Sequence, residues 1–178
     1  MLNNVKTRKL ALSAMMLALA YLLPFFTGQI QKMGNMLCPM HIPVLLCGFL
    51  CGASWGLAVG FTAPLLRSLV LGMPPMFPKA ICMALELAVY GLVCGLMHKI
   101  MPQKKWFVYV SLITAMIAGR LVWGAAMYIC MGINAGKFGF SEFLAGAVTN
   151  AIPGIVIQLV LIPVIVMVTQ KKSKRFSK

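Results

Sequence analysis

IPVLLCGFLCGASWGLAVGFTAPLLRSLVLGMPPM, residues 42–76, decides how many helices this chain forms. The stretch is mostly apolar and is interrupted by Gly48, Gly52, Gly56, Gly60, Pro64 and Arg67. Glycine and proline weaken a helix interior, so it reads either as one long helix or as two short ones broken near Gly52-Ala53-Ser54-Trp55-Gly56. Four other spans are plain: Leu10–Phe26, Ala80–Met97, Trp106–Met131 and about Ala145–Val168. Charge settles the count. Two helices in the long stretch, about Ile42–Cys51 and Ser54–Leu71, make six in all and put both termini on one face. That face then collects Lys6/Arg8/Lys9, Lys99/Lys104/Lys105 and Lys171/Lys172/Lys174/Arg175/Lys178. One long helix would split these clusters between opposite faces, against the tendency of Lys and Arg to stay cytoplasmic. The sequence therefore predicts an all-α integral membrane protein, a six-helix transmembrane bundle with both termini cytoplasmic. Residues 1–178 form a single multi-pass domain of the cell membrane.

Composition agrees. The 178 residues are 61% hydrophobic and 10% charged, whereas a soluble domain of this length carries about a quarter charged residues. Mean hydropathy is +0.94. Glu86 and Glu142 are the two acids against sixteen Lys and Arg, and there is no Asp. That balance cannot coat a water-facing surface, but it suits a bundle solvated by lipid. A net charge of +14 also raises nucleic-acid binding, but the basic residues cluster at the ends and in one loop, with no basic face interleaved with stacking aromatics. The six cysteines lie mainly inside apolar runs, without the spacings of zinc sites, and read as small packing residues. The basic start followed by an apolar run has no small-x-small cleavage signal after Phe26, so it reads as an uncleaved first span.

Most catalytic chemistry is excluded by what is missing. No phosphate-binding Gly-x-x-x-x-Gly-Lys-Ser/Thr loop occurs, and no His-Glu-x-x-His. Without Asp, the carboxylate clusters of metal-dependent lipid enzymes cannot be assembled. Ser54 has glycines nearby, but both histidines, His41 and His98, fall at helix ends rather than deep in a span. The expectation is a protein that is not an enzyme and carries neither cofactor nor metal.

What remains are ionisable residues within apolar spans. Glu86 in the fourth helix and Arg120 in the fifth each face a cost of about 2.5–3.5 kcal/mol at mid-bilayer unless partnered or in a wet cavity. Tyr90 lies one turn from Glu86, Trp123 one turn from Arg120, and Asn150 opens the sixth helix on the same side. Arg67 and Lys79 add positive charge near that mouth. Two readings stay open together: a structural Glu86–Arg120 pair joining two helices, or a polar pocket lined by helices four to six. The positive surplus points to an anionic or zwitterionic ligand bound by Arg67, Glu86, Tyr90, Arg120, Trp123 and Asn150. In the first helix Ala11, Ala14 and Ala18 line one face. Small faces let helices approach closely in lipid, most simply inside the bundle.

The chain resembles the substrate-binding S components of energy-coupling-factor (ECF) vitamin transporters. The likeness covers nearly all of it. It rests on Arg8-Lys-Leu-Ala-Leu-Ser-Ala-Met-Met-Leu-Ala-Leu-Ala20, on Met40-His-Ile-Pro-Val-Leu-Leu-Cys-Gly-Phe-Leu-Cys-Gly52 with Gly56-Leu-Ala-Val-Gly60, and on Ile152-Pro-Gly-Ile-Val-Ile-Gln-Leu-Val-Leu-Ile-Pro163. The resemblance implies capture of a small vitamin or related micronutrient under the loops Thr27–His41 and Gly72–Lys79. It also implies docking on a transmembrane coupling subunit that carries two ATPase subunits, which would supply the ATP hydrolysis this chain lacks. Ala14 and Ala18 resemble the family's Ala-x-x-x-Ala docking motif and become candidate interface residues. No ligand motif of a subfamily is matched. A stand-alone secondary carrier or channel is the alternative, although no inverted repeat supports it.

Overall fold

A computed structural model of the protein describes residues 2–27, 38–102, 105–132 and 152–176. Among them are six α-helices and no strand: α1 Leu2–Thr27, α2 His41–Cys51, α3 Ala53–Leu71, α4 Ile81–Ile100, α5 Lys105–Gly132 and α6 Ile152–Phe176. A short irregular turn, Met76–Ala80, leads into α4, with Phe77 in extended conformation. All six predicted segments are helical where they are described. α1 begins well before Leu10, and the predicted start of the last helix, residues 145–151, lies outside the described residues.

The long apolar stretch breaks at one residue. Gly52 adopts φ 103° and ψ 173°, a backbone region closed to other L-residues, and the chain reverses there. The reversal is tight enough that a Cβ on Gly56 would lie 2.9 Å from Gly48 Cα. Collinear helices would hold those positions about 12 Å apart, so α2 and α3 fold back on each other. α2 has 11 residues, about 17 Å, too short for a hydrocarbon core of about 30 Å. It is instead buried on nearly every face, and the other five helices are long and apolar enough to cross a membrane.

α4 packs against α3 backbone to backbone. A Cβ on Gly60 would collide with the Leu87 carbonyl, one on Gly91 with the Gly56 carbonyl, and one on Gly95 with the Ala53 backbone. The glycine spacing of Gly52, Gly56 and Gly60 meets that of Gly91 and Gly95. In lipid, where no hydrophobic gain drives helices together, close van der Waals contact of this kind takes its place.

α2 runs alongside α4 in the same direction. His41 stands beside Tyr90, the Leu45 carbonyl accepts from the Cys94 thiol at 3.6 Å, and the Phe49 and His98 rings meet edge-on at 5.0 Å. α5 returns antiparallel to α4, with Cys82 and Cys130 sulfurs 3.8 Å apart at one end and Glu86 beside Arg120 further along. α1 lies against α2 and α3, and α6 against α2 and α5. The start of α1, the Gly52 reversal, the end of α4 and the start of α5 share one end of the bundle. Lys6, Arg8, Lys9, Lys99 and Lys105 therefore gather there. Elsewhere the exterior is apolar, with Leu10, Met15, Leu22, Val156, Val160 and Val164 exposed, as lipid contact requires.

Replacing Gly91 by Val should push α4 off α3 and cost about 1–3 kcal/mol or more, whereas Ala58→Val, on the exposed face of α3, should be near neutral. Thermal unfolding in detergent checks both. Equal stability of G91V and the unaltered protein would show that the close approach does not matter.

Candidate functional site

The site is built where α2 starts, one and a half turns into α4. Glu86 and Tyr90 are four residues apart, so they share the α4 face that looks toward α2 and α5. Across from them Gly119 leaves α5 without a side chain. A Cβ there would strike the Tyr90 ring, and its absence lets the helices close enough for the next residue, Arg120, to reach the carboxylate. Arg120 Nη1 lies 3.0 Å from Glu86 Oε1, with Glu86 1% exposed and the Arg120 side chain 17%. The tertiary structure thus makes the predicted pair.

A third helix completes the cluster. His41 is the first residue of α2, its backbone N–H donating to the Cys38 carbonyl at 3.1 Å. Its Nε2 lies 3.5 Å from Glu86 Oε1, and its ring is tilted against Tyr90 at 5.2 Å between centroids. Tyr90 presents its ring to the same cluster from one turn further along α4. Cys38 closes the far side, its Sγ 3.9 Å from Arg120 Nη2, and burial pushes its thiol pKa up. Yet His41 Nδ1 and Nε2, Glu86 Oε1 and Arg120 Nε are buried without an aligned hydrogen bond, as is Gln158 Oε1 on α6. Each orphaned group of this kind costs about 1–3 kcal/mol, which makes a cluster with several the candidate site of the bundle.

The other predicted residues are placed differently. Trp123 packs in a separate apolar group with Cys82, Ala126, Met127, Cys130 and Met131, toward the end of α5. Arg67 leans on α1, its Nη1 donating to the Tyr21 carbonyl at 3.5 Å and its guanidinium 5.7 Å from the Phe25 ring centroid. No described contact joins it to Glu86. Lys79 is exposed in the turn before α4, and Asn150 lies outside the described residues. Ala11, Ala14 and Ala18 are exposed, so the small face of α1 points out of the bundle rather than into it, against the internal packing that spacing alone suggests. Ser13, Met16 and Ala20 form the buried face of that helix.

His41 and Cys38 were missed by sequence reasoning. By sequence His41 reads as a helix-end residue, but a helix end need not lie at the membrane surface. The end of an 11-residue helix enclosed by its neighbours does not. The available signal was a histidine opening the shortest, most buried apolar run, in a chain with one acid inside its spans.

Glu86→Ala should leave Arg120 in a low-dielectric setting without its counter-charge, at a cost of about 3–5 kcal/mol. Removing both partners should cost less than the sum of the two single changes. Chemical or thermal unfolding of the four proteins in a double-mutant cycle measures this, and strict additivity would mean the pair is not coupled.

No curated protein and no solved structure matches the chain. A family model described as ECF transporter, substrate-specific component, matches residues 8–166, which reaches into every described helix and includes all of the clustered side chains. With nearly the whole chain matched, this protein belongs to the family of substrate-specific components of ECF transporters.

Proposed function

We propose that the protein captures a small water-soluble vitamin or related micronutrient at the cluster of His41, Glu86, Tyr90 and Arg120. The observation that carries this reading is the buried polar cluster itself: four ionisable or hydroxyl side chains from three helices, several of their polar atoms unpartnered, within an otherwise apolar bundle. A purely structural ion pair needs neither the histidine nor the surplus of unmet donors and acceptors. A bound ligand would satisfy them.

The basic residues gathered at the opposite end support a cytoplasmic location for that end, and with it both termini in the cell membrane. The cluster then lies toward the outside, beside Cys38 and the start of α2. In this reading ATP hydrolysis belongs to two ATPase subunits joined through a transmembrane coupling subunit, and the chain itself catalyses nothing. The outward small face of α1 at Ala14 and Ala18 offers the coupling subunit a place for close helix approach.

Screening purified protein against vitamins and nucleobases tests the capture role. A true ligand at 100 times its dissociation constant should add about 2.7 kcal/mol of stability. Arg120→Ala should abolish that stabilisation, and stabilisation retained in R120A would remove Arg120 from the site. For the docking face, Ala14→Trp with Ala18→Trp should leave binding intact and block uptake in cells carrying the whole transporter. Normal uptake by the double variant would move the interface elsewhere.

A further inference from the structure

The charge balance of the cluster says which part of a ligand it reads, an inference that rests on the capture role proposed above. The sequence points to a positive surplus and an anionic or zwitterionic ligand. Among the described residues, Arg120 at the cluster meets Glu86 at 3.0 Å, while Arg67 is held against α1 and Lys79 is exposed in the turn before α4. A guanidinium grips a carboxylate or phosphate with two parallel N–H bonds. Here Nη1 is turned to Glu86 and Nη2 to the Cys38 sulfur, and the buried Nε has no acceptor. A ligand anion placed on that fork would also face the Glu86 carboxylate, a like charge with 1% exposure and little water to screen it.

The unmet atoms have a different complement. Glu86 Oε1 wants a donor, Arg120 Nε wants an acceptor, and both ring nitrogens of His41 stand unpartnered beside them. A group that donates and accepts along one edge without net charge fits all of them. We propose that His41, Glu86 and Arg120 read an uncharged amide or amidine edge of the ligand, such as that of a heterocyclic base or a carboxamide. Any ionised group of the ligand lies away from the cluster.

The test compares compounds that share a skeleton and differ in charge: nicotinamide with nicotinate, panthenol with pantothenate, and guanine, hypoxanthine and cytosine as uncharged ring amides. Thermal stabilisation of the purified full-length protein is measured near neutral pH, where the carboxylates are ionised. Stabilisation confined to uncharged members, at least about tenfold tighter than any carboxylate twin, is the expected result. Glu86→Gln keeps the shape, removes the counter-charge and should shift preference toward the carboxylate twin by freeing Arg120. A carboxylate bound more tightly than its uncharged twin by the unaltered protein overturns this inference and leaves the capture role standing. A panel in which nothing stabilises a well-folded sample counts against the capture role and this inference together. Should E86Q fail to fold, the paired comparison on the unaltered protein decides alone.

Discussion

The backbone contact between α3 and α4 is the constraint on which the other features depend. Gly56 and Gly60 meet Leu87 and Gly91 at distances that admit no Cβ, and the Gly52 reversal lays α2 into the same junction. Helices in lipid gain nothing from hiding apolar surface from one another, so dispersion over a close, well-matched contact holds them. That contact sets the rotation of α4 about its own axis. With Gly91 and Gly95 turned toward α3, Glu86 and Tyr90 face α2 and α5. The position of the polar cluster thus follows from where the glycines are.

The cluster is held in place by its surroundings more than by its own attraction. Desolvating a carboxylate and a guanidinium costs several kcal/mol each, and their mutual attraction offsets this only with good geometry and further partners. The Glu86–Arg120 contact is close, yet Oε1 lacks an aligned hydrogen bond. Gly119 permits the approach of α5, and the Tyr90 ring packed on it keeps α5 from sliding. A polar arrangement that is geometrically imposed and incompletely satisfied keeps donors and acceptors with hydrogen-bonding capacity unmet.

The exterior of the bundle has a complementary character. α1 turns Ser13, Met16 and Ala20 inward and Ala14 and Ala18 outward among larger apolar side chains. Neither its apolar surface nor its alanines are required to hold the bundle together, since α2, α3 and α4 form the most closely packed part. An exposed apolar face of this kind suits contact with lipid.

Much of this was legible in the residues. Apolar run lengths, the distribution of Lys and Arg and the interruption around Gly52 determine six helices and their alternation. These are local or statistical properties of the chain in lipid and need no knowledge of packing. The presence of Glu86 and Arg120 inside neighbouring spans likewise offers a pair. Tertiary structure decided the rest. Which residues of α1 face inward, whether Arg67 and Trp123 join Glu86, and that His41 does, depend on the rotation of each helix and the depth of its ends. Those are set by contacts between residues far apart in sequence, above all where missing side chains let two backbones touch, and no periodicity within a single helix records them.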